Sequence, residues 1–324
     1  MVMAQALFMR LRERRPQAAI DVLAPGWSLP ILQRMPEVRT GIELPLGHGE
    51  FGFSVRRRIG RALRGRRYAQ AIVLPGSWKS ALVPFFAGIP RRTGYRREFR
   101  YGLLNDLRKL DRSVLPTTVQ QFLALAADAP PDAAPPVVPQ PRLRAEPARV
   151  PLLAAQLGLE PERPAVALMP GAEYGPAKRW PPEHFAELAG RLAQAGCQVW
   201  IFGSAKERAL GAAIAGGRQH IHDLCGRTAL VDVVDLLAAC AAAVTNDSGL
   251  MHVAAAVGVP LVAIFGSSSP AHTPPLSPAA AVLYLGLPCS PCFARECPLG
   301  HLNCLRQIGP ELVLARLEQA GAVP

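Results

Sequence analysis

The chain has 324 residues, 50% of them hydrophobic, a composition typical of a globular protein with room for two domains. Its formal net charge at pH 7 is +12. Every apolar stretch of about 18 residues is interrupted by polar residues, so no membrane-spanning helix is predicted. The arginines between Arg10 and Arg15 follow too short an apolar stretch for a secretory signal.

The positive charge is confined to the first half of the chain. Residues 1–150 carry 25 Lys and Arg against 11 Asp and Glu, whereas residues 151–324 carry 11 against 13. The excess forms two clusters: Arg56, Arg57, Arg58, Arg61, Arg64, Arg66 and Arg67, then Arg91, Arg92, Arg96, Arg97 and Arg100. Such clusters suit a polyanion, whether nucleic acid, an anionic membrane face or a phosphorylated glycolipid. The alternative is a solvated helix face in an arginine-rich protein.

Hydrophobic periodicity in the first half predicts strands alternating with helices, which indicates a parallel sheet covered by helices. The predicted helices span 1–15, 27–35, 55–67, 79–87 and 115–127, and the strands 18–24, 41–46 and 69–74. A doubly wound domain normally begins with a strand. This chain begins with a helix instead.

Eight prolines fall between residues 130 and 151, and they predict a semi-rigid interdomain linker. The second half repeats the α/β alternation. Its predicted strands span 165–170, 198–202, 242–245 and 260–265, and its helices 183–195, 205–215, 230–240 and 249–257.

Two turns in the second half are candidates for an anion site. Asp247-Ser248-Gly249 follows a strand and opens a helix, where unpaired backbone N–H groups and the helix dipole favour a phosphate. Lys178 lies in a loop that follows the strand 165–170. Ligands of open parallel sheets bind at the carboxyl edge, so Lys178 and the Ser248 turn are expected to meet around one phosphorylated molecule. The alternatives are an ordinary capping turn and a solvated surface lysine.

The two turns lie in PGAEYGPAKRWP and TNDSGLMHVAAAVGVPLVAIFGSSSP, and this pair resembles the lipopolysaccharide heptosyltransferases of glycosyltransferase family 9. The resemblance extends to LPLGHG at 44–49, SWKSALVPFFAGIPRRTGYRRE at 77–98 and RYGLLND at 100–106. It therefore covers almost the whole chain. The N-terminal matches favour the heptosyltransferase II branch, with branches I and III or another ADP-sugar transferase as alternatives.

The resemblance implies a glycosyltransferase B fold, in which two Rossmann-like, doubly wound α/β domains face a cleft. Residues 1–129 would bind the acceptor and residues 152–324 the ADP-sugar. The implied reaction is inverting transfer of L-glycero-D-manno-heptose from ADP-heptose to the heptose of the lipopolysaccharide inner core, with no cofactor required for the chemistry. The implied location is the cytoplasmic face of the inner membrane, as a peripheral protein without a transmembrane span, whose basic first domain orients the phosphorylated acceptor.

The same resemblance assigns roles around the donor diphosphate. Lys178 would offset the charge that grows on the leaving ADP. Ser248 and Gly249 would hold the diphosphate through backbone N–H groups, and Asp247 would hydrogen-bond heptose hydroxyls.

For three further residues the sequence gives weaker support for a functional role. Glu207 matches the ribose-binding acid of the family, although a first-turn helix charge is a strong alternative. Thr228 lies in the loop expected to line the adenine pocket, and an ordinary loop residue is the stronger alternative there. His252 is expected to be a packing residue that braces the turn.

In the resembling family, a strand and a Gly-Asp turn precede the segment that matches MVMAQALF, and that Asp is taken as the catalytic base. These 324 residues contain no counterpart. The resemblance therefore implies that the first strand and the base lie upstream of Met1, or that the sequence is a degenerate copy; the upstream start is favoured because losing a core strand is strongly destabilising. As given, the chain is expected to be inactive.

The seven cysteines fall into two groups. Cys197, Cys225 and Cys240 are isolated in apolar surroundings and are expected to be buried, inert thiols. Cys289, Cys292, Cys297 and Cys304 are close in sequence, with His301 between the last two. Four soft ligands this close are compatible with a structural zinc or an iron–sulfur cluster, with two disulfides, or with free thiols in an irregular loop. Disulfides are disfavoured because nothing indicates export.

A different class of protein is a basic nucleic-acid-binding module, which a pI near 10.0 and a cysteine cluster would fit. No recognised binding motif supports it, and aromatic content is only 6%, so base-stacking platforms are scarce. The transferase is therefore the favoured prediction, with no nucleic-acid partner.

Overall fold

The structure is a computed structural model that describes residues 1–47, 49–128, 134–160 and 162–323. It divides the chain into two compact units, the first ending at Pro139 and the second beginning at Gln140. This division lies inside the segment predicted as the linker. Residues 134–146 form neither helix nor strand, whereas 130–133 of that segment lie outside the described residues.

The first unit alternates short helices and strands, as the periodicity predicts. Its α-helices are α1 (Val2–Arg14), α2 (Leu29–Leu32), α3 (Phe53–Leu63), α4 (Leu82–Phe86) and α5 (Thr118–Ala124). Its strands are β1 (Ile20–Ala24), β2 (Val38–Glu43), β3 (Gln70–Val73), β4 (Arg91–Tyr95) and β5 (Asp106–Arg108). The two strands β4 and β5 were not predicted, because arginines and an aspartate interrupt their apolar pattern.

Strands of the first unit pair in parallel throughout, but they form two sheets. One sheet joins β1 and β2, and the other has the order β3-β4-β5. A single doubly wound sheet was expected in this half, so that part of the prediction is wrong for the described residues. Periodicity identifies strands, whereas the pairing of strands depends on long-range contacts that a sequence pattern does not specify.

The second unit is one parallel sheet with helices between its strands. Its strands are β6 (Ala165–Met169), β7 (Gln198–Ile201), β8 (Ile221–Asp223), β9 (Ala242–Asn246), β10 (Leu261–Phe265) and β11 (Ala280–Tyr284), in the order β11-β10-β9-β6-β7-β8. Its helices are α6 (Val150–Leu157), α7 (Pro182–Gln194), α8 (Arg208–Ala215), α9 (Leu230–Ala238), α10 (Gly249–Val257), α11 (Asn303–Arg306) and α12 (Pro310–Gln319). The predicted parallel α/β class is confirmed.

The core of the second unit lies around its central strands. Every residue of β6, β9 and β10 is buried, since helices cover the sheet. Phe185 and Leu188 of α7 and Val313 of α12 pack into the same cluster. Because both faces of these strands are filled by side chains, ligands have access only at the strand ends.

Candidate donor-phosphate site

Four neighbouring strands bring the predicted site residues to one edge of the second sheet. Strands β9, β6, β7 and β8 are parallel neighbours, so their carboxyl ends lie side by side. The six predicted residues follow these ends: Lys178 after β6, Glu207 after β7, Thr228 after β8, and Asp247, Ser248 and Gly249 after β9. This is the edge where open parallel sheets bind ligands.

Lys178 ends a short 3-10 turn, Pro176–Lys178, within the loop that joins β6 to α7. Its Nζ lies 2.5 Å from Oδ2 of Asp247, which is the first residue after β9. The Lys178 side chain is 18% exposed and that of Asp247 6%. The structure therefore brings the Lys178 loop and the Asp247–Gly249 turn together, and Asp247 holds the ammonium at the edge of the sheet.

A buried asparagine fixes the distance between the two loops. Asn246 is fully buried, its Oδ1 accepts a hydrogen bond from the Trp180 N–H at 2.9 Å, and its Nδ2 donates to the Pro170 carbonyl at 2.7 Å. One side chain of β9 thus ties both ends of the Lys178 loop to the strand that carries Asp247. The sequence interpretation assigned no role to Asn246.

The start of α10 is open to a ligand. Ser248 occupies the N-cap position, and its side chain makes no capping hydrogen bond within the helix. A Cβ placed on Gly249 would meet no atom of another segment within 4 Å, and Gly249 is exposed. The helix dipole adds partial positive charge at the start of this nine-residue helix, next in sequence to Asp247, the partner of Lys178.

Glu207 and Thr228 lie farther along the same edge. The Glu207 Oε2 accepts a hydrogen bond from the Ser204 N–H at 2.6 Å as part of a capping box, which agrees with the structural alternative for this residue. Its other oxygen lies so close to Gly171 that a Cβ there would be 1.7 Å away, so Glu207 also borders the Lys178 loop. Thr228 lies in the bend before α9 and is partly buried.

His252 lies one turn into α10, behind the Asp247 turn. Burial lowers the pKa of His252 to about 4, while the nearby Asp247 raises it and Lys178 lowers it. Its Nδ1 is buried and has no hydrogen-bond partner within the described residues. The imidazole is therefore neutral at pH 7, as expected of a residue that packs behind the turn.

Comparison with known proteins identifies the family. The profile of glycosyltransferase family 9 (heptosyltransferase) matches residues 56–303, which is most of the chain. The chain belongs to glycosyltransferase family 9.

Relatives within the family agree along nearly the whole length. The chain is 48% identical to lipopolysaccharide heptosyltransferase 2 of Salmonella typhimurium, over 98% of this chain and 94% of that protein, and the Escherichia coli protein of the same name matches equally well. The solved structure of E. coli ADP-heptose lps heptosyltransferase II superposes with a TM-score of 0.88 at 45% identity, covering 99% of this chain and 94% of that chain. None of the described helices has the length and apolarity that a membrane crossing requires.

Two residues that support the Lys178 loop of this family 9 chain, Tyr174 and Arg295, were not predicted from the sequence. The Tyr174 ring centroid lies 5.2 Å from the Lys178 Nζ and 5.5 Å from the Arg295 guanidinium carbon. Arg295 Nε donates to the Tyr174 carbonyl at 2.8 Å, and its own carbonyl accepts the Ala177 N–H at 3.0 Å. Arg295 thus holds both ends of the segment between Tyr174 and Lys178. No sequence signal marked it, because it lies about 120 residues away in an irregular segment.

That irregular segment contains the cysteine cluster. Cys289, Cys292, Cys297, Cys304 and His301 line one small cavity, but within the described residues no group of three or more His, Cys, Asp or Glu side chains could hold a metal ion. The possible structural zinc is therefore not supported. All seven cysteines are free thiols, and Cys292 is exposed.

The predicted isolated cysteines behave differently. Cys197, Cys225 and Cys240 are buried, as expected of inert thiols. Burial raises the pKa of each of the three. In the cluster, by contrast, backbone N–H groups led by that of Leu302 lower the pKa of Cys297.

Several arginines of the two basic clusters in the first unit are buried or paired with carboxylates. Arg56 and Arg100 are buried and donate to backbone carbonyls, so the expectation that both face a polyanion from the surface is wrong. Arg91 pairs with Asp106 and Asp128. Arginines gain these partners because their long stems reach strand ends and loops that sequence spacing does not reveal.

Beside the basic helix α3 lies an exposed aromatic patch, which we define as Phe51, Phe53, Trp78 and Phe85. Each is between 40% and 46% exposed. The Phe51 ring lies 5.9 Å from that of Phe53 and 5.1 Å from that of Trp78. Exposed aromatic groups of this size commonly mark an interaction surface.

Proposed function

We propose that the chain transfers heptose from ADP-heptose to the heptose of the lipopolysaccharide inner core, with inversion at the anomeric carbon. Membership of family 9 and the relatives named heptosyltransferase 2 support the reaction class. The observation that carries the assignment of the donor site is the Lys178–Asp247 pair beside the open start of α10.

In this proposal the second unit stabilises the departing ADP. Negative charge grows on the diphosphate as its bond to the anomeric carbon breaks, and the Lys178 ammonium offsets that charge. The N–H groups at Ser248 and Gly249 donate to the same phosphate oxygens. Since Asn246 and Asp247 already hold these groups in place, little reorganisation is needed during the reaction.

The remaining contacts position the two sugars of the donor. Asp247 accepts hydrogen bonds from heptose hydroxyls, Glu207 from the ribose, and the Thr228 turn borders the adenine. In this proposal the residues named here account for donor binding and ADP departure. The proton of the acceptor hydroxyl passes to a general base outside this donor site.

Calorimetric titration of ADP, with UDP as the control nucleotide, tests the donor site without requiring turnover. We expect saturable binding that prefers ADP and weakens at least about tenfold in Lys178→Ala, because a charged hydrogen bond is worth about 1.5–3 kcal/mol. Lys109→Ala is the matched control, since Lys109 is an exposed lysine of the first unit. A folded chain that binds no ADP, or that binds it equally well in Lys178→Ala, refutes the assignment.

We further propose that the protein binds the anionic inner-membrane surface through the aromatic patch and the arginines of α3. Aromatic side chains lie at the headgroup level of bilayers, and exposed arginines such as Arg57 and Arg58 are attracted to anionic lipids. The two features lie together, because Phe53 opens the helix that carries both arginines.

Sedimentation with phosphatidylglycerol vesicles, and with phosphatidylcholine vesicles for comparison, tests the membrane surface. Trp78→Ser should reduce binding to the anionic vesicles severalfold, since an aromatic ring buries a large apolar area. Trp27→Ser is the control, because Trp27 is 78% exposed but lies outside the patch. Equal losses in the two variants, or no binding to anionic vesicles, would exclude the patch as the membrane contact.

A further inference from the structure

A second polar cavity lies in the first unit, at the carboxyl edge of the β3-β4-β5 sheet. Its volume is about 300 Å³, and its lining includes Leu74, Gly76, Tyr95, Arg97, Arg100 and Gln121. Leu74 and Gly76 follow the end of β3, and Tyr95 is the last residue of β4. Pockets at this edge of a parallel sheet are the usual ligand sites, and this volume is at the lower end of the range for small-molecule pockets.

Arg100 forms the floor of this cavity. It is 1% exposed, its Nε donates to the Tyr95 carbonyl at 3.1 Å, and its Nη1 donates to the Pro75 carbonyl at 2.7 Å. Its Nη2 also donates to Tyr95, so three of the five guanidinium N–H groups are used and two remain. Both acceptors are neutral backbone carbonyls, and among the described residues the guanidinium has no bonded carboxylate.

The neighbouring charges do not supply that anion. Burial lowers the pKa of Arg100, the adjacent Arg97 lowers it further, and Glu98 raises it. The Glu98 carboxylate accepts the Trp78 N–H at 2.9 Å, so it is engaged outside the cavity. Buried charges are normally paired, and an unpaired one beside a cavity indicates that the counterion is a ligand.

Arg97 supplies the second cation at the cavity rim. It is exposed, and in the described parts of the chain it has neither a hydrogen bond nor an ion pair. Its stem lies across Gly76, where an added Cβ would come 3.3 Å from the Arg97 Cγ. The glycine thus leaves the guanidinium free to turn toward the same ligand as Arg100.

Two other polar side chains of the wall already donate to backbone carbonyls. The Tyr95 hydroxyl donates to the Gln121 carbonyl at 2.6 Å, and the Gln121 amide donates to the Leu115 carbonyl at 3.1 Å. These bonds fix strand β4 to helix α5 and keep the wall rigid. The free donors of the cavity are therefore the two guanidinium groups, which suit a phosphate or carboxylate through paired N–H bonds.

We propose that Arg97 and Arg100 form a subsite for a sugar that carries a phosphate or carboxylate group. This inference rests on the proposed function, because the anionic sugar would belong to the glycolipid acceptor. The sequence predicted that the basic clusters as a whole bind an anion. The proposal assigns this binding to one cavity and two arginines.

The test is ligand-observed NMR titration of the full chain with mannose 6-phosphate and with glucuronate. Mannose and inorganic phosphate serve as probes that lack the charge and the sugar ring, respectively. The first variant is Arg97→Gln, whose side chain is exposed, with Arg112→Gln as the matched control from an exposed turn. Arg100→Lys is the second variant, and circular dichroism checks its folding because Arg100 is buried.

We expect saturable binding of at least one anionic sugar and at least about tenfold weaker binding in Arg97→Gln, the cost of one charge-assisted hydrogen bond. Arg112→Gln should match the unaltered chain. Tighter binding of mannose 6-phosphate assigns the subsite to phosphate, and tighter binding of glucuronate assigns it to carboxylate.

Three results would overturn the subsite: no saturable binding of either anionic sugar, equal losses in Arg97→Gln and Arg112→Gln, or inorganic phosphate binding as tightly as the sugar phosphate. The ADP titration reports on the second unit alone. ADP binding that persists under any of these results would remove the subsite and leave the proposed function standing.

Discussion

The two proposed ligand sites hold their cations in opposite ways. In the second unit Lys178 is paired with a carboxylate of its own chain, Asp247, and an asparagine bridge fixes both loops. In the described part of the first unit, Arg97 and Arg100 have no bonded carboxylate, and Arg100 donates to neutral backbone carbonyls. Lys178 therefore has a counterion within its own unit, whereas in our proposal the charges of Arg97 and Arg100 are neutralised by the bound anion.

The largest expected effect is a loss of stability when a buried asparagine that bridges two segments is replaced by alanine. An exposed asparagine bridge in the first unit serves as the comparison. Asn246→Ala should lower the free energy of unfolding by about 2–4 kcal/mol, because it leaves the buried Trp180 N–H and Pro170 carbonyl without partners. Asn105 in the first unit makes the same kind of bridge, to the Arg92 N–H and the Pro90 carbonyl, but at an exposed position. Asn105→Ala should cost less than about 1 kcal/mol, because water replaces the lost bonds.

Urea denaturation of the two variants provides the measurement. Equal losses of stability in Asn246→Ala and Asn105→Ala would contradict the expectation that the buried bridge contributes more than the exposed one.

Two glycines of the donor edge should respond oppositely to one added methyl group. A Cβ on Gly175 would lie 2.4 Å from the Arg295 carbonyl oxygen, so Gly175→Ala should cost about 1–3 kcal/mol of stability. Gly249→Ala should leave stability unchanged or slightly higher, since nothing lies within 4 Å and alanine favours a helix. It should nevertheless weaken ADP binding, because the methyl group occupies space proposed for phosphate.

Thermal unfolding and ADP calorimetry on both variants separate packing from ligand contact. Undiminished ADP affinity in Gly249→Ala would place the diphosphate away from the start of α10.

The pH dependence of stability should reveal His252, whose Nδ1 is buried. Its pKa in the folded chain is lowered to about 4 from an ordinary value of 6.5, so the unfolded chain binds more protons between these values. The stabilising contribution of the neutral imidazole is thus fully present above pH 6.5 and is lost progressively toward pH 4. We expect this to amount to about 1–3 kcal/mol.

Urea midpoints measured at pH 7, 6 and 5 test this expectation against His252→Gln, which should flatten the decline. His301→Gln serves as the control histidine substitution in the same unit. A decline of the same steepness in His252→Gln would mean that other groups cause it.

The smallest expected effect concerns the support of the Lys178 loop. Arg295→Ala should weaken ADP binding about three- to tenfold, because its bond to the Tyr174 carbonyl and its contact with the Tyr174 ring are partly exposed. Arg306→Ala, an exposed arginine of α11, should have no effect. Calorimetry of both would show whether the donor edge depends on the contacts of Arg295, and equal affinities would show that Asp247 and Asn246 suffice.

Local patterns predicted the four central strands of the second sheet, but not its edge strands β8 and β11. The apolar runs that became β6, β9 and β10 are buried on both faces, and such runs are readable from sequence alone. The Lys178 and Asp247 turns could be placed together because both follow strands of one parallel sheet.

Other features depend on contacts between residues far apart in sequence. The role of Arg295 comes from a partner 121 residues away, and the bridge of Asn246 spans 66 and 76 residues. The split sheet of the first unit and the burial of Arg56 and Arg100 likewise reflect tertiary contacts. A basic cluster in a sequence therefore does not reveal which of its arginines face a ligand.

A fluorescent label in the segment containing the cysteines would allow nucleotide binding to be followed by spectroscopy. Cys292 is exposed, and the next residue, Phe293, accepts the Tyr174 hydroxyl at its carbonyl, 2.7 Å away. A fluorophore attached to Cys292 would sit beside the loop that carries Lys178. With the other thiols of the cluster replaced by serine, its emission would report nucleotide arrival in real time, and would provide the association rate that an equilibrium titration does not give.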